Sequence, residues 1–257
     1  MSAIIRIDQI VNDKTSGSSE LLNHLTKLLL VSINNPKKFN TILEEVEAKL
    51  LHFSNIANFI KKVKSIKDKQ KLEEYLKYSL GNGKYEILFE LAKPILLKYN
   101  NLATLSNSIT LYHILTKLAI ENSKLRVNLA ESRPKLEGRI LTLKLLEKSV
   151  NVNLYIDAFI PEMVRVSNAV VIGADSILKD GSVINKIGSM SLALAAKYYN
   201  KSFYVVSLKS KKVNKLSFYS PLENPHEVWK YKNDKLRVFN SYFEKVPANL
   251  ITKIITD

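Results

Sequence analysis

The feature that most constrains this chain is a change of hydrophobic period at Asn100-Asn101. Before it, apolar residues recur at spacings of three and four (Leu21, Leu22, Leu25, Leu28, Leu29, then Phe39, Ile42, Leu43, Val46, Leu50), the period of amphipathic helices. Turn chemistry at Asn34-Asn35-Pro36, Lys67-Asp68 and Gly81-Asn82-Gly83 divides this part into four or five helices, with Pro94 kinking or restarting the last. After Asn101, short apolar runs alternate with helical stretches. The spacing predicts strands over 102–105, 126–130, 152–156, 169–174 and 203–207, and helices near 110–120, 134–148 and 190–199. Strand-helix alternation at this spacing demands right-handed crossovers and a parallel, doubly wound sheet. The expected fold class is therefore α/β, with a helical domain over 1–100 followed by an α/β domain over 101–257.

In an open parallel sheet, ligands bind outside the carboxyl ends of the strands. The first four runs end in Ser106, Glu131, Asp157 and Asp175, at spacings of 25, 26 and 18 residues that suit successive crossovers and put all four on one rim. Capping of the following helices is the plainer use of such residues, and for Asp157 a turn before Pro161. Four of the seven glycines (Gly138, Gly173, Gly181, Gly188) fall in this stretch, where they serve positive φ or close backbone approach. Asp180-Gly181 reads as a tight turn. Asn185-Lys186-Ile187-Gly188-Ser189 brings a lysine and backbone amides to a helix start, a setting that suits an anion, and Thr104-Leu105-Ser106-Asn107-Ser108 does the same after the first strand.

Cysteine is absent, which removes disulfides and thiolate chemistry together. His24, His52, His113 and His226 show no metal-ligand spacing, and no cofactor is expected. No apolar run approaches the ~18 residues of a membrane span. The start, Met1-Ser2-Ala3-Ile4-Ile5-Arg6, has no signal-peptide pattern, so the expected setting is cytoplasmic, with no membrane partner. Net charge is +15, with concentrations at Lys61, Lys62, Lys64, Lys67, Lys69 and Lys71 and at Lys209, Lys211, Lys212 and Lys215. A nucleic-acid partner rests on this charge alone, because no aromatic platform is interleaved with either patch. Trp229, the single tryptophan, is expected to pack.

The stretches Glu131-Ser132-Arg133-Pro134-Lys135-Leu136-Glu137-Gly138-Arg139, Gly173-Ala174-Asp175-Ser176-Ile177 and Asp180-Gly181-Ser182-Val183-Ile184-Asn185-Lys186-Ile187-Gly188-Ser189 closely resemble one family. It is that of the alpha, beta and delta regulatory subunits of translation initiation factor 2B, which also contains ribose-1,5-bisphosphate isomerase and methylthioribose-1-phosphate isomerase. Ala195-Ala196-Lys197, Asn224-Pro225-His226-Glu227-Val228-Trp229 and Pro247-Ala248-Asn249-Leu250-Ile251 agree with it, and the match is good over 100–257. The resemblance implies a helical N-terminal domain and a Rossmann-like C-terminal domain. It also implies a catalytic aspartate at Asp175 and a catalytic cysteine where this chain has Ser106. Elements resembling ligand contacts are Ser108, Thr110, Asn185, Lys186 and Lys211. Two segments depart from the pattern: Ser16-Gly17-Ser18 stands where the isomerases carry an arginine before Gly-Ala, and Asn35-Pro36-Lys37 where they carry Arg-Pro-Thr.

A serine hydroxyl is a far weaker acid than a thiol, and no histidine lies near Ser106 in sequence to activate it. The expectation is therefore a non-catalytic regulatory protein of translation initiation, a pseudoenzyme without isomerase turnover. It would act by association with the initiation factor 2 alpha subunit and with itself, and its rim would still bind a phosphorylated small molecule. A homodimer seam is expected at the apolar runs 203–206 and 250–255. The alternative is a sugar-phosphate aldose-ketose isomerase of the ribose-1,5-bisphosphate isomerase type, using Asp175, with Asp157 the one other rim carboxylate to nominate.

Overall fold

A computed structural model describes residues 6–13, 16–51, 53–214, 218 and 220–257. Its first part consists of helices α1 (Ile7–Val11), α2 (Ser18–Ser32), α3 (Pro36–Lys49), α4 (Ser54–Ser65), α5 (Lys69–Leu80) and α6 (Gly83–Leu96). The breaks follow the turn residues. The Asn35 side chain accepts a hydrogen bond from the Lys38 amide (3.1 Å) with Pro36 in the first helical position, and Asp68 accepts from the Lys71 amide (2.8 Å). Pro94 neither stops nor restarts α6, which continues to Leu96. The break between α3 and α4 carries no proline or glycine, so the periodic pattern runs across it unmarked. His52, Lys215 and residues 1–5 lie outside the described residues.

Leu21, Leu25, Leu29, Ile42, Val46, Ile56 and Leu76 form a core of their own among α2 to α5. Helix α6 does not share it. Its buried face (Tyr85, Leu88, Phe89, Ala92, Leu96) packs instead with Leu102, Leu111, Leu129 and Val206 of the sheet region.

That region runs β1 (Asn101–Leu105), α7 (Ile109–Glu121), β2 (Arg126–Ala130), α8 (Glu137–Leu146), β3 (Asn151–Tyr155), α9 (Ile160–Arg165), β4 (Ala169–Ile172), β5 (Ser176–Ile177), β6 (Val183–Lys186), α10 (Ser189–Tyr198), β7 (Ser202–Val206), β8 (Phe243–Val246) and β9 (Lys253–Ile255). Six strands form one parallel sheet in the order β3-β2-β1-β4-β7-β9. Strand β1 faces both ways: Leu102 enters the core under α6 and α7, Ala103 and Leu105 the core under α9 and α10. The fold is the expected α/β type, a doubly wound parallel sheet preceded by helices. Strands β5, β6 and β8 make a small antiparallel sheet, with the Asp180-Gly181 turn between the first two.

Strand β9 corrects one expectation. It pairs with β7 along Tyr204–Lys253, Val205–Ile254 and Val206–Ile255, and Phe203, Val205, Val206 and Ile255 are buried. The two apolar runs expected to form a seam between copies are thus satisfied inside one chain.

Candidate active site

The chain leaves β1 for β2 on one side and later returns to β4 on the other, so the sheet changes direction of winding between β1 and β4. A crevice opens at the carboxyl ends of those strands, as it must at such a switch point. Gly173, just past β4, allows it to be narrow: a Cβ there would stand 2.8 Å from the Ser108 hydroxyl at the start of α7. Ser108 itself caps α7, accepting from the Leu111 amide at 3.3 Å.

Ser106 follows β1 with a left-handed φ of 64°. Its amide donates to Ser132 Oγ (2.8 Å), and the Ser132 and Arg133 amides donate to the two Asp157 oxygens (2.8 and 2.7 Å). Asp157 therefore braces the neighbouring rim loop and does not face the cleft. Glu131 is likewise engaged, its Oε2 taking the Arg139 guanidinium at 2.6 Å.

Four charged side chains line the cleft floor: Asp175, Glu137, Lys186 and Lys211. Asp175 Oδ1 accepts from the Ser18 hydroxyl at 2.8 Å and lies 3.9 Å from Lys211 Nζ. Lys211 is only 6% exposed, and burial pushes its ammonium below the usual lysine range, with Asp175 partly restoring it. Lys186 Nζ meets Glu137 Oε1 at 2.6 Å and lies over the rings of Tyr242 (4.9 Å) and Phe243 (4.8 Å). Burial and the Glu227 carboxylate push the Tyr242 phenol well above its ordinary value. Glu137 Oε2 is buried without a hydrogen-bond partner.

A chamber of about 290 Å³ opens beside the floor and shares Ser16, Phe53, Asp175, Lys186 and Phe243 with it. Its other walls combine apolar residues (Val11, Leu50, Ile184, Phe218, Pro221) with the charged Asp13, Lys49 and Glu223.

Of the residues expected from sequence, Ser106, Ser108, Asp175, Asn185, Lys186 and Lys211 are brought together around this cleft. Thr110 is not: it is buried within α7, on the face turned from the opening. Ser16-Gly17-Ser18 reaches the site, whereas Asn35 and Lys37 line a separate groove with Arg6 and Ile42. The start of α10 is not an empty anion site. Glu244 already accepts there from the Met190 amide (2.9 Å), and burial raises its carboxyl above the usual range. The lysine run at 209–212 is no surface patch at Lys211, and Trp229 does not pack inward but stands 57% exposed, stacked on Tyr231 at 5.0 Å. Sequence reasoning missed Glu137, Phe53 and Phe243. An acidic residue directly before a glycine at a helix start was the available signal for the first; the two phenylalanines carried none. Among the described residues there is no cluster of three or more His, Cys, Asp or Glu side chains that could hold a metal, and no helix is long and apolar enough to cross a membrane.

The Initiation factor 2 subunit family matches residues 69–257. The chain belongs to that family. A curated relative, the methylthioribose-1-phosphate isomerase of Carboxydothermus hydrogenoformans, is 38% identical over 154 residues, covering 55% of this chain and 45% of the relative. Others of the same name are 34% and 32% identical, and the chain spans less than half the length of these relatives. Among solved structures, the translation initiation factor eIF-2B of Pyrococcus horikoshii OT3 superimposes with a TM-score of 0.82 at 21% identity, covering 97% of this chain and 92% of that one. The 5-methylthioribose 1-phosphate isomerase of the same organism gives 0.83 at 19%, covering 97% and 81%. At these identities the structural likeness speaks to the fold.

The expectation of a non-catalytic regulatory pseudoenzyme does not stand. The curated relatives named above, at 32–38% identity, are isomerases; the inference against catalysis rested on Ser106 and on the departures at Ser16-Gly17-Ser18 and Asn35-Pro36-Lys37, yet the charged groups of the cleft are assembled. The association with the initiation factor 2 alpha subunit was expected on that reading and goes with it.

Proposed function

We propose that this chain is an aldose-ketose isomerase acting on a pentose that carries a phosphoryl group on C1. The observation that carries the reading is the cleft at the sheet's switch point, where the Asp175 carboxylate faces the Lys186 and Lys211 cations. Cations and the open start of α7 suit the phosphoryl group, and a carboxylate held by Ser18 can carry a proton. The apolar part of the adjoining chamber suits a sugar whose far end is apolar. That favours a methylthio-substituted pentose, as in the relatives' name, over a bisphosphate, whose second phosphoryl group would meet the Asp13, Asp175 and Glu223 carboxylates against only Lys49 and Lys186.

In a furanose with its phosphoryl group on C1, isomerisation moves protons without net gain. The ring oxygen takes up a proton as its bond to C1 breaks, the C2 hydroxyl releases one as it becomes a carbonyl, and the hydrogen on C2 passes to C1 with its electron pair. Asp175 is the acceptor for the C2 hydroxyl proton. Self-association belongs to the same reading, on a face other than the 203–206 run.

Incubation of the purified chain with methylthioribose 1-phosphate and with ribose 1,5-bisphosphate, followed for ketose formation, tests the proposal. The expected outcome is turnover of the first in preference to the second, with kcat lowered about a thousandfold by Asp175→Asn. No ketose from either substrate would sink it.

A further inference from the structure

The isomerisation requires a proton donor to the ring oxygen as well as an acceptor, and Ser106 is a poor candidate, since no described side chain within the cleft activates its hydroxyl. Glu137 and Lys186 neutralise one another at 2.6 Å. Lys211 stands differently. It is buried on the cleft floor, and its nearest carboxylate oxygen, on Asp175, is 3.9 Å away, beyond hydrogen-bond range.

The backbone that carries Lys211 is fixed from two sides. It ends a single helical turn (Lys209–Lys211) after β7, its amide bonded to the Leu208 carbonyl at 3.0 Å. The Asn58 side chain of α4 donates to the Ser210 carbonyl at 2.8 Å, and the Val213 amide donates to the Ile177 carbonyl at 2.9 Å. A flexible surface lysine would not be clamped so closely.

We propose that Lys211 is the proton donor of this chain, delivering its ammonium proton to the ring oxygen while Asp175 takes the proton of the C2 hydroxyl. The inference rests on the isomerase reading above. Atoms balance within the pair: Lys211 ends the step as a neutral amine and Asp175 as a carboxylic acid. Because the two stand 3.9 Å apart, the proton returns from Asp175 to Lys211 through one water, restoring both for the next turnover. No further reactant is needed. Burial that lowers the ammonium's pKa makes it a stronger acid near neutrality.

The charged groups that share the cleft with Lys211 are Asp175 from the loop after β4, Glu137 from α8 and Lys186 from β6. Helix α4, packed against the Lys209–Lys211 turn, presents Asn58 to it, while Lys61, Lys62 and Lys64 are exposed. The working form thus has Asp175 ionised and Lys211 protonated, and kcat should fall as pH rises through a Lys211 value below the ordinary lysine one.

The test is the pH profile of kcat for methylthioribose 1-phosphate in the wild type, Lys211→Arg and Lys211→Met, with folding checked by thermal melting. Arginine keeps the charge but does not release its proton in this range. Both variants should lose about a hundredfold or more in kcat, Lys211→Arg with KM changed less than about threefold and without the alkaline limb. A wild-type kcat that stays flat from about pH 7 to 10 overturns the proposal, and needs no variant to fold. So does a Lys211→Arg enzyme within about threefold of wild-type kcat. In either case, turnover that is still lost in Asp175→Asn leaves the isomerase reading in place; a wild type that forms no ketose removes both.

Discussion

The two walls of the cleft are made of different chemistry. The sheet side supplies the charges: Asp175, Glu137, Lys186 and Lys211. The helical side supplies neutral groups that hold them. The Ser18 hydroxyl donates to Asp175, the Asn55 side chain donates to the Ser18 carbonyl (3.0 Å), the hydroxyls of Ser54 and Ser176 bond to one another, and Phe53 forms an apolar wall. On the sheet side, the loops after β1 and β2 are fixed by backbone groups bonding to Ser132 and Asp157. The charged groups thus sit on the sheet side, and the helical side reaches them through side chains, Ser18 on Asp175 and Asn58 on the turn that carries Lys211. That division is what a cleft needs if substrate is to enter between them.

Glycine replacements separate a tightly packed backbone crossing from an open one. A Cβ on Gly138 would lie 1.9 Å from the Ala130 carbonyl oxygen, so α8 would have to move off the end of β2, taking Glu137 with it. Gly138→Ala should cost about 3 kcal/mol or more, lowering Tm by about 10 °C. By contrast, Gly83 at the start of α6, away from the cleft, has nothing within 4 Å of its would-be Cβ. Gly83→Ala should leave Tm unchanged or raise it slightly, by a helix-propensity gain of up to ~1 kcal/mol. Equal melting shifts in the two variants would show that the close approach of α8 to the end of β2 does not hold α8 in place.

A smaller effect separates positioning from stability. Ser18→Ala removes the helical side's one hydrogen bond to Asp175 but leaves the α2 backbone intact. Because a hydrogen bond to a charged group contributes about 1.5–3 kcal/mol, Tm should fall by about 3–10 °C, and kcat/KM by about tenfold or somewhat more as Asp175 loses its fixed position. A large fall in Tm with unchanged kcat/KM would reverse the roles given to the two walls.

What was legible in the sequence follows the same division. The strands 102–105 and 169–174 and the rim residues after them are visible because inner strands of a parallel sheet are buried on both faces and write continuous apolar runs, whereas 126–130 and the half-exposed edge strand at 152–156 are apolar stretches interrupted by Asn128 and Asn153. Asp175 and Lys186 could be placed on the rim for that reason. Lys211 could not be read as buried, because Lys209-Ser210-Lys211-Lys212 has the look of a solvated run, and only the crossing of α4 encloses it. Thr110 looked equivalent to Ser108, yet the two-residue offset on α7 turns it inward. The bond from Ser18 to Asp175 spans 157 residues and leaves no local mark. Strand β9 was invisible because three residues, one of them a lysine, carry too short a pattern.

The last and smallest effect sharpens a contrast within the sheet side, between two helix starts. That of α7 is open to the cleft, whereas that of α10 is filled by Glu244, whose carboxylate the Met190, Gly188 and Ser189 amides stabilise. Burial outweighs those amides and raises the Glu244 pKa above the ordinary value of 4.5. From there up to the raised value, the folded chain keeps a proton that the unfolded chain has released, so this group's contribution to stability falls as pH rises. Other carboxylates slope the opposite way: the Lys135 ammonium and neighbouring hydrogen bonds hold Glu227 below its usual range, so the quantity to follow is a difference. Glu244→Gln keeps the shape and the acceptor oxygen but cannot ionise. Urea unfolding from about pH 4 to 7 should show the variant gaining on the wild type as pH rises. If the wild type gains instead, the α10 amides and dipole dominate over burial, and a helix start in this sheet would hold a full negative charge at no cost, as proposed for the phosphoryl group at α7.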